Sequence, residues 1–290
     1  MIKDKTKKSL QAVWSNHLSV LIKTRADNLS PLEFQYLILN KLVEVKKYNT
    51  AISATRLLVT MFDFAVAITV IKENPLKTVY DLPLLKQINK LAKKSVVHRA
   101  SFNHLTLNTD LKKLVSTFKN KAGDLRINLL RLSLSFLLRP SEMVKLNINN
   151  LDRKKKIITV KDTKTLDNFI IPISDQLIEL IDLIYEKYGN KKEGYIFKGF
   201  RYASHLSAQT LNRALKDLGY KNVLCAHGIR SIGSNFFSHH AKDVPPYVRE
   251  AILQHSVSKI EKAYRRDDFY LRQRVKAMEL WYAYLDELFK

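Results

Sequence analysis

The sequence predicts a mainly α-helical protein in two parts: an N-terminal helical bundle, then an α-rich domain carrying one small antiparallel β-hairpin. Three observations lead there. At 290 residues the chain exceeds the usual size of one domain, and its 46% apolar content can furnish two cores. Only seven glycines and seven prolines punctuate it, a balance that suits long helices over a many-turned sheet protein. β-Branched runs mark the hairpin, at Ile157, Ile158, Thr159 and Val160 and again over residues 169–173.

In chain order, four helical stretches fill the first hundred residues, at about 9–23, 31–47, 51–71 and 81–94. The third is the clearest: Leu58, Met61, Phe62, Ala65, Ile68 and Val70 fall at spacings of one broad apolar face, and the stretch ends at Asn74 and Pro75. Between 92 and 109 the apolar rhythm lapses. Lys93, Lys94, His98, Arg99 and His104 there read as an exposed basic linker. The boundary is placed near 106, giving domains 1–106 and 107–290. The second domain opens with helices at 111–118 and 125–138, the latter apolar on most sides and so expected to be buried. It stops at Arg139 and Pro140, and a short helix at 141–146 follows. The hairpin comes next, turning through the polar residues 163–168 with Lys164 near its tip. Helices resume at about 176–188, 208–218, 228–239, 247–254 and 269–288.

The formal charge is +23, from 50 Lys and Arg against 27 Asp and Glu, which points to a polyanionic partner. It divides as +10 over residues 1–106 and +13 over the rest, a balance that suits a clamp around DNA better than a basic tail on a neutral enzyme. Charge alone does not choose among nucleic acids. The single cysteine, Cys225, excludes an internal disulfide and any Cys-based zinc set, and fits a reducing cytoplasm. No uninterrupted apolar run reaches the length of a membrane span, and the lysine-rich start lacks the apolar stretch of a signal peptide. A soluble, cytoplasmic protein with no membrane partner is expected.

Five short motifs fall in a definite order: Arg139-Pro140-Ser141-Glu142 after a buried helix, Lys164 on the hairpin, His227-Gly228-Ile229-Arg230 at a helix start, Leu253-Gln254-His255, and Tyr264. In this order the chain resembles the tyrosine-recombinase, or phage-integrase, family. That family's pattern is an Arg opening an R-x-x-E-like turn, a hairpin Lys, an H-x-x-R helix start, a G-H-like step and a Tyr shortly after. Residues 263–266 (Ala-Tyr-Arg-Arg) and the Trp281-containing helix give the satellite-phage flavour of integrase. Two departures stand out: Gln254 where many members have Gly or Ala, and Pro140 directly after the first Arg. The resemblance implies a bacterial or phage-encoded, nucleoid-associated, site-specific recombinase. Its partners would be double-stranded DNA recombination sites, on which it works as a homo-tetramer, monomeric in solution, with accessory DNA-bending or directionality factors. The residues ahead of the boundary leave no room for the family's further arm-binding domain beside a core-site-binding bundle, so a protein binding core sites only is expected.

The chemistry accounts for these residue types on its own terms. A phosphodiester attacked by an oxygen passes through a five-coordinate state with extra negative charge, which the permanently ionised, paired donors of Arg139 and Arg230 suit. His227 and His255 add donors or move a proton near neutral pH. Tyr264, as nucleophile, needs a positive pocket because free tyrosine has a pKa of about 10. Lys164 can protonate the departing 5′ oxygen as general acid. Glu142, three residues past Arg139, can orient a catalytic Arg or His. The resemblance implies a 3′-phosphotyrosyl intermediate, with neither metal nor other cofactor required.

Each residue also has a plainer reading. Arg139 can cap a helix C-terminus, Lys164 can be a solvated hairpin tip, His227 and Arg230 a solvent-facing first turn, His255 a buried histidine, and Tyr264 is one of 13 tyrosines. Their joint order favours the site. His239 and His240 do not share a helix face, which argues against a metal pair. Cys225 reads as a small core residue and 153–156 as a solvated basic turn. The apolar face of Leu271, Val275, Met278, Trp281, Leu285 and Leu288 is either core packing or an assembly contact. Two other functions compete: a recombinase-derived, non-catalytic DNA-binding regulator, which should have lost catalytic residues, and a type IB topoisomerase, which shares the pocket but needs no site.

Overall fold

The computed structural model describes residues 4–25, 29–94, 101–103, 107–121, 123–161, 163, 168–254 and 270–290. The chain divides into two compact units, Met1–Val96 and Val97–Lys290. The division falls before residue 106 because part of the expected linker packs on the second unit. Phe102 is buried in that unit's core, Ser101 Oγ donates to Gly228 O (2.8 Å), and Asn235 Nδ2 donates to Phe102 O (3.3 Å). The linker's His98, Arg99 and His104 lie outside the described residues.

In the first unit, α1 (Asp4–Val13) runs on through a π-type turn (Trp14–Leu18) and a 3-10 turn (Ser19–Lys23). Ser30 starts α2 (Pro31–Phe34) with a reciprocal cap: its hydroxyl accepts from Glu33 N, and the Glu33 carboxylate accepts from Ser30 N at 2.8 Å. Pro31 fits the first helical position, where its missing N–H costs nothing. A π-type turn (Gln35–Leu39) leads into α3 (Asn40–Glu44), then come α4 (Tyr48–Ala67) and α5 (Pro83–Lys94). The core gathers Leu18, Phe34, Leu39, Leu58, Leu85 and Ile88 against the small stripe Ala51, Ala54 and Thr55 of α4.

The apolar face expected of α4 is only partly used. Leu58 is buried and Phe62 packs half-buried against the core, whereas Met61, Ile68 and Val70 are exposed. Taken by length and composition alone, α4 is long and apolar enough to cross a bilayer, which qualifies the expectation from the sequence; Arg56 and Asp63 interrupt its apolar run.

The second unit begins with α6 (Leu107–Asn120), α7 (Leu125–Phe136) and α8 (Pro140–Met143). The expected hairpin is present as β2 (Ile157–Lys161) against β3 (Asn168–Pro172), with Ile157 opposite Pro172 and Lys161 opposite Asn168. A two-residue strand, β1 (Leu151–Asp152), adds a third antiparallel member with Leu151 opposite Ile158; it is too short to show alternation in the sequence. Helices α9 (Asp175–Tyr188), α10 (Gln209–Asp217), α11 (Gly228–His239), α12 (Pro246–Ile252) and α13 (Leu271–Phe289) complete it. As its composition implies, α7 is buried on nearly every side.

Helix α13 packs into this unit's own core. Trp281 is fully buried, its Nε1 donating to Leu134 O (3.1 Å) and Ser135 O (3.2 Å), and Tyr282 Oη donates to Pro172 O (2.8 Å). Of the two readings open for Trp281, the structure selects core packing. Arg274 reaches β3, donating to Ile170 O at 2.6 Å and lying over the Phe169 ring. The basic turn is an exposed, ion-paired surface, with Arg153 on Asp182 and Lys156 on Asp175.

Candidate active site

The site is built where α7 ends. Asp124 caps the start of that helix by accepting from Arg126 N (2.6 Å), and the helix stops at Leu137, which adopts a left-handed conformation (φ 53°). The turn delivers Arg139 to the N-cap of α8, with Pro140 in the first helical position. The proline that looks like a departure in the sequence is therefore suited to its place. Glu142 closes the turn: one carboxylate oxygen accepts from Arg139 N (3.1 Å) and the other from Arg139 Nη1 (3.0 Å).

Helix α11 supplies the second guanidinium. Its first turn is held by Cys225 Sγ, which accepts from Gly228 N (3.3 Å), and by Asn212 Oδ1, which accepts from Ala226 N (2.9 Å). The cysteine expected to be core filler is thus half-buried, with its sulfur on the first N–H of α11. Arg230, one turn in, is 4% exposed; it donates through Nη1 to Leu137 O (2.6 Å) and through Nη2 to Leu253 O. It therefore ties the end of α7 to the end of α12.

Gln254 completes the set. Its backbone is left-handed (φ 49°), its carbonyl accepts from Arg139 Nη2 (2.8 Å), and its side-chain Oε1 accepts from Arg139 Nη1 (2.9 Å). Its Nε2 donates to Glu142 Oε2 at 3.3 Å. Two arginines are thus gathered around one carboxylate. The Arg230 pKa is lowered to about 10, chiefly by burial and next by the charge of Arg139, with Glu142 opposing both. Arg230 stays cationic at neutral pH, in a pocket with more positive than negative charge. Such a pocket suits a phosphate, which adds the counter-charge the protein leaves out.

Of the residues singled out in the sequence, the fold brings Arg139, Glu142 and Arg230 together. His227 is exposed at the start of α11, one turn from Arg230. Lys164, His255 and Tyr264 lie outside the described residues; in sequence Lys164 falls between β2 and β3, and His255 and Tyr264 between Gln254 and α13. The sequence reading missed the carbonyls of Leu137 and Leu253 and the side chain of Gln254. A polar residue closing the apolar run Ala251-Ile252-Leu253 was the available signal.

Residues 105–270, more than half the chain and the stretch holding every site residue named above, match the phage integrase family. The chain belongs to the phage integrase family. Among curated relatives, the prophage integrase IntA of Escherichia coli (strain K12) is 34% identical over 113 residues. That match takes in 38% of this chain and 26% of IntA, so the chain spans about a quarter of that relative's length. Solved integrase structures share the fold. A lambda integrase dimer bound to a COC′ core site superposes with a TM-score of 0.65 at 17% identity, covering 92% of this chain and 73% of that one. A lambda integrase tetramer on a Holliday junction gives 0.67 at 17% identity, over 92% and 73%. The Tn1549 transposon integrase with circular-intermediate DNA gives 0.60 at 15% identity, over 91% and 90%.

Proposed function

We propose that this phage-integrase-family protein is a site-specific DNA recombinase that cuts and rejoins DNA through a 3′-phosphotyrosyl intermediate. The observation that carries the reading is the arginine pair: Arg139 and Arg230, held by Glu142, Gln254 and backbone carbonyls, form a cationic pocket of the sign that a phosphodiester requires. In the proposed reaction the Tyr264 oxygen attacks the phosphorus as its proton passes to a nearby base, with His227 and His255 the candidates. The arginines take the growing charge on the non-bridging oxygens. The P–O5′ bond breaks, and the 5′ oxygen leaves with a proton from Lys164. The energy of the broken bond is kept in the phosphotyrosine, and the reverse attack by a 5′ hydroxyl of a second strand reseals the DNA. The partners are double-stranded recombination sites, two of them held by a tetramer.

Nicked duplexes tiled across the DNA flanking the coding sequence test the reading, because the nick lets the short 5′ strand diffuse away and traps the covalent step. The wild-type protein should form an adduct stable in detergent, and Tyr264→Phe should form none. An adduct that persists in Tyr264→Phe would reassign the nucleophile. A wild-type protein that binds these duplexes and never becomes linked to them would leave DNA binding without strand transfer.

A further inference from the structure

Gln254 is the residue of this site to which the sequence assigned no role. It is 1% exposed and left-handed, a conformation glycine adopts without strain and glutamine does not. A buried polar side chain at such a position is held there by what it bonds, and Gln254 bonds the two most consequential neighbours available. Its Oε1 and its own carbonyl both accept from Arg139, one from each terminal nitrogen, while its Nε2 donates to Glu142. The same Glu142 carboxylate also accepts from Arg139 Nη1.

A guanidinium has five N–H groups. Both on Nη1 and one on Nη2 go to Glu142 and Gln254. The Nε–H and the second Nη2–H have no protein partner among the described residues. In a guanidinium the Nε–H and the Nη2–H beside it lie along one edge of the plane, the fork that receives two oxygens of a phosphate. With the other donors held from both sides, the plane cannot turn about its long side chain.

We propose that Gln254 is a positioning residue: its amide bridges Arg139 and Glu142 and fixes the guanidinium so that its Nε/Nη2 edge faces the scissile phosphate. The inference rests on the recombinase reading of the site. It requires hydrogen bonding by the amide, and a side chain that only fills space at this position does not meet the requirement.

Two variants of the full chain separate these roles. Gln254→Gly removes the amide and suits the left-handed backbone; Gln254→Met keeps the volume and loses both side-chain hydrogen bonds. Each should slow single-turnover cleavage of the nicked duplex by about 10–100-fold, the usual effect of removing a partner that orients a site residue. DNA affinity should stay at the wild-type value, and the unfolding temperature of Gln254→Gly should not fall. A second readout does not depend on catalysis. In nitrogen-15 arginine-labelled protein, the guanidinium signal assigned by Arg139→Lys should be resolved and slow to exchange in the wild type and averaged in both variants. If Gln254→Met matches the wild type in rate and in that signal, the residue is only a filler and the proposal is wrong. The proposal is equally wrong if Gln254→Gly loses stability and DNA affinity in step with rate. A wild-type protein that cleaves nothing would sink the recombinase reading, and the Arg139 signal would still decide for or against Gln254.

Discussion

Replacing Gly233 with alanine should loosen the arginine pair without touching either arginine. Gly233 lies three residues past Arg230 on α11, where it shares that residue's side of the helix and meets the end of α7. A Cβ there would stand 2.2 Å from Leu137 Cδ1, 2.8 Å from Cδ2 and 3.0 Å from Cγ. Carbon contacts become favourable near 3.5 Å, so either Leu137 or the helix must move by about 1.3 Å. Leu137 has little room: it is fully buried and its backbone is fixed at φ 53°. Overpacking of this kind costs about 1–3 kcal/mol, and the better helix propensity of alanine returns about 1 kcal/mol. The net loss of up to about 2 kcal/mol should lower the unfolding temperature by roughly 2–4 °C per kcal/mol in a unit of this size. The effect on chemistry should be larger, because Leu137 O is the acceptor for Arg230 Nη1 at 2.6 Å. A displacement of about 1 Å takes that bond out of range, and misplacement on this scale can cost on the order of 10²-fold in rate. Thermal unfolding and adduct formation on the nicked duplex measure the two effects. The double variant with Leu137→Ala, which opens the space, should recover part of the rate. A Gly233→Ala protein as stable and as active as the wild type would refute the packing account, as would strict additivity in the double variant.

Two further outcomes follow from α13. Trp281→Ala should destabilise the second unit by about 3–5 kcal/mol, since a fully buried indole and its bonds to two α7 carbonyls are lost; denaturant unfolding checks this, and a change confined to the oligomeric state would instead support an assembly contact. Tyr282→Phe should cost about 0.5–1.5 kcal/mol at neutral pH, the worth of its bond to Pro172 O. It should also flatten the alkaline loss of stability. Burial holds the Tyr282 pKa above its ordinary value of 10, so the unfolded chain ionises first, and this group's contribution is complete below about pH 10 and lost above it. Unfolding titrations of the two proteins between neutral and alkaline pH compare them, and identical slopes would remove Tyr282 as the cause.

Much of this protein is written in its contiguous sequence. The apolar run 125–138 required a buried helix, Arg139 and Pro140 marked where it stops, and two β-branched runs around a polar turn specified the hairpin. Those features are local: helical and strand periods and capping hydrogen bonds involve residues within a few positions of each other, so the pattern of side chains records them. The residue types at 139, 142 and 230, in that order, also mark the arginine pair and its carboxylate in the sequence.

The tertiary structure decided what no local pattern encodes. It left Met61, Ile68 and Val70 of the expected α4 face exposed, and turned Trp281 into its own unit. It also supplied the acceptors that set the arginines. Leu137 O and Leu253 O hold Arg230, while Gln254, 115 residues from Arg139 along the chain, holds that residue by both side chain and carbonyl. Every residue carries a carbonyl, so the sequence has no letter for one that is aimed at a guanidinium. The aim comes from the left-handed backbone at Leu137 and Gln254 and from the packing of α7, α11 and α12 that brings their ends to one point.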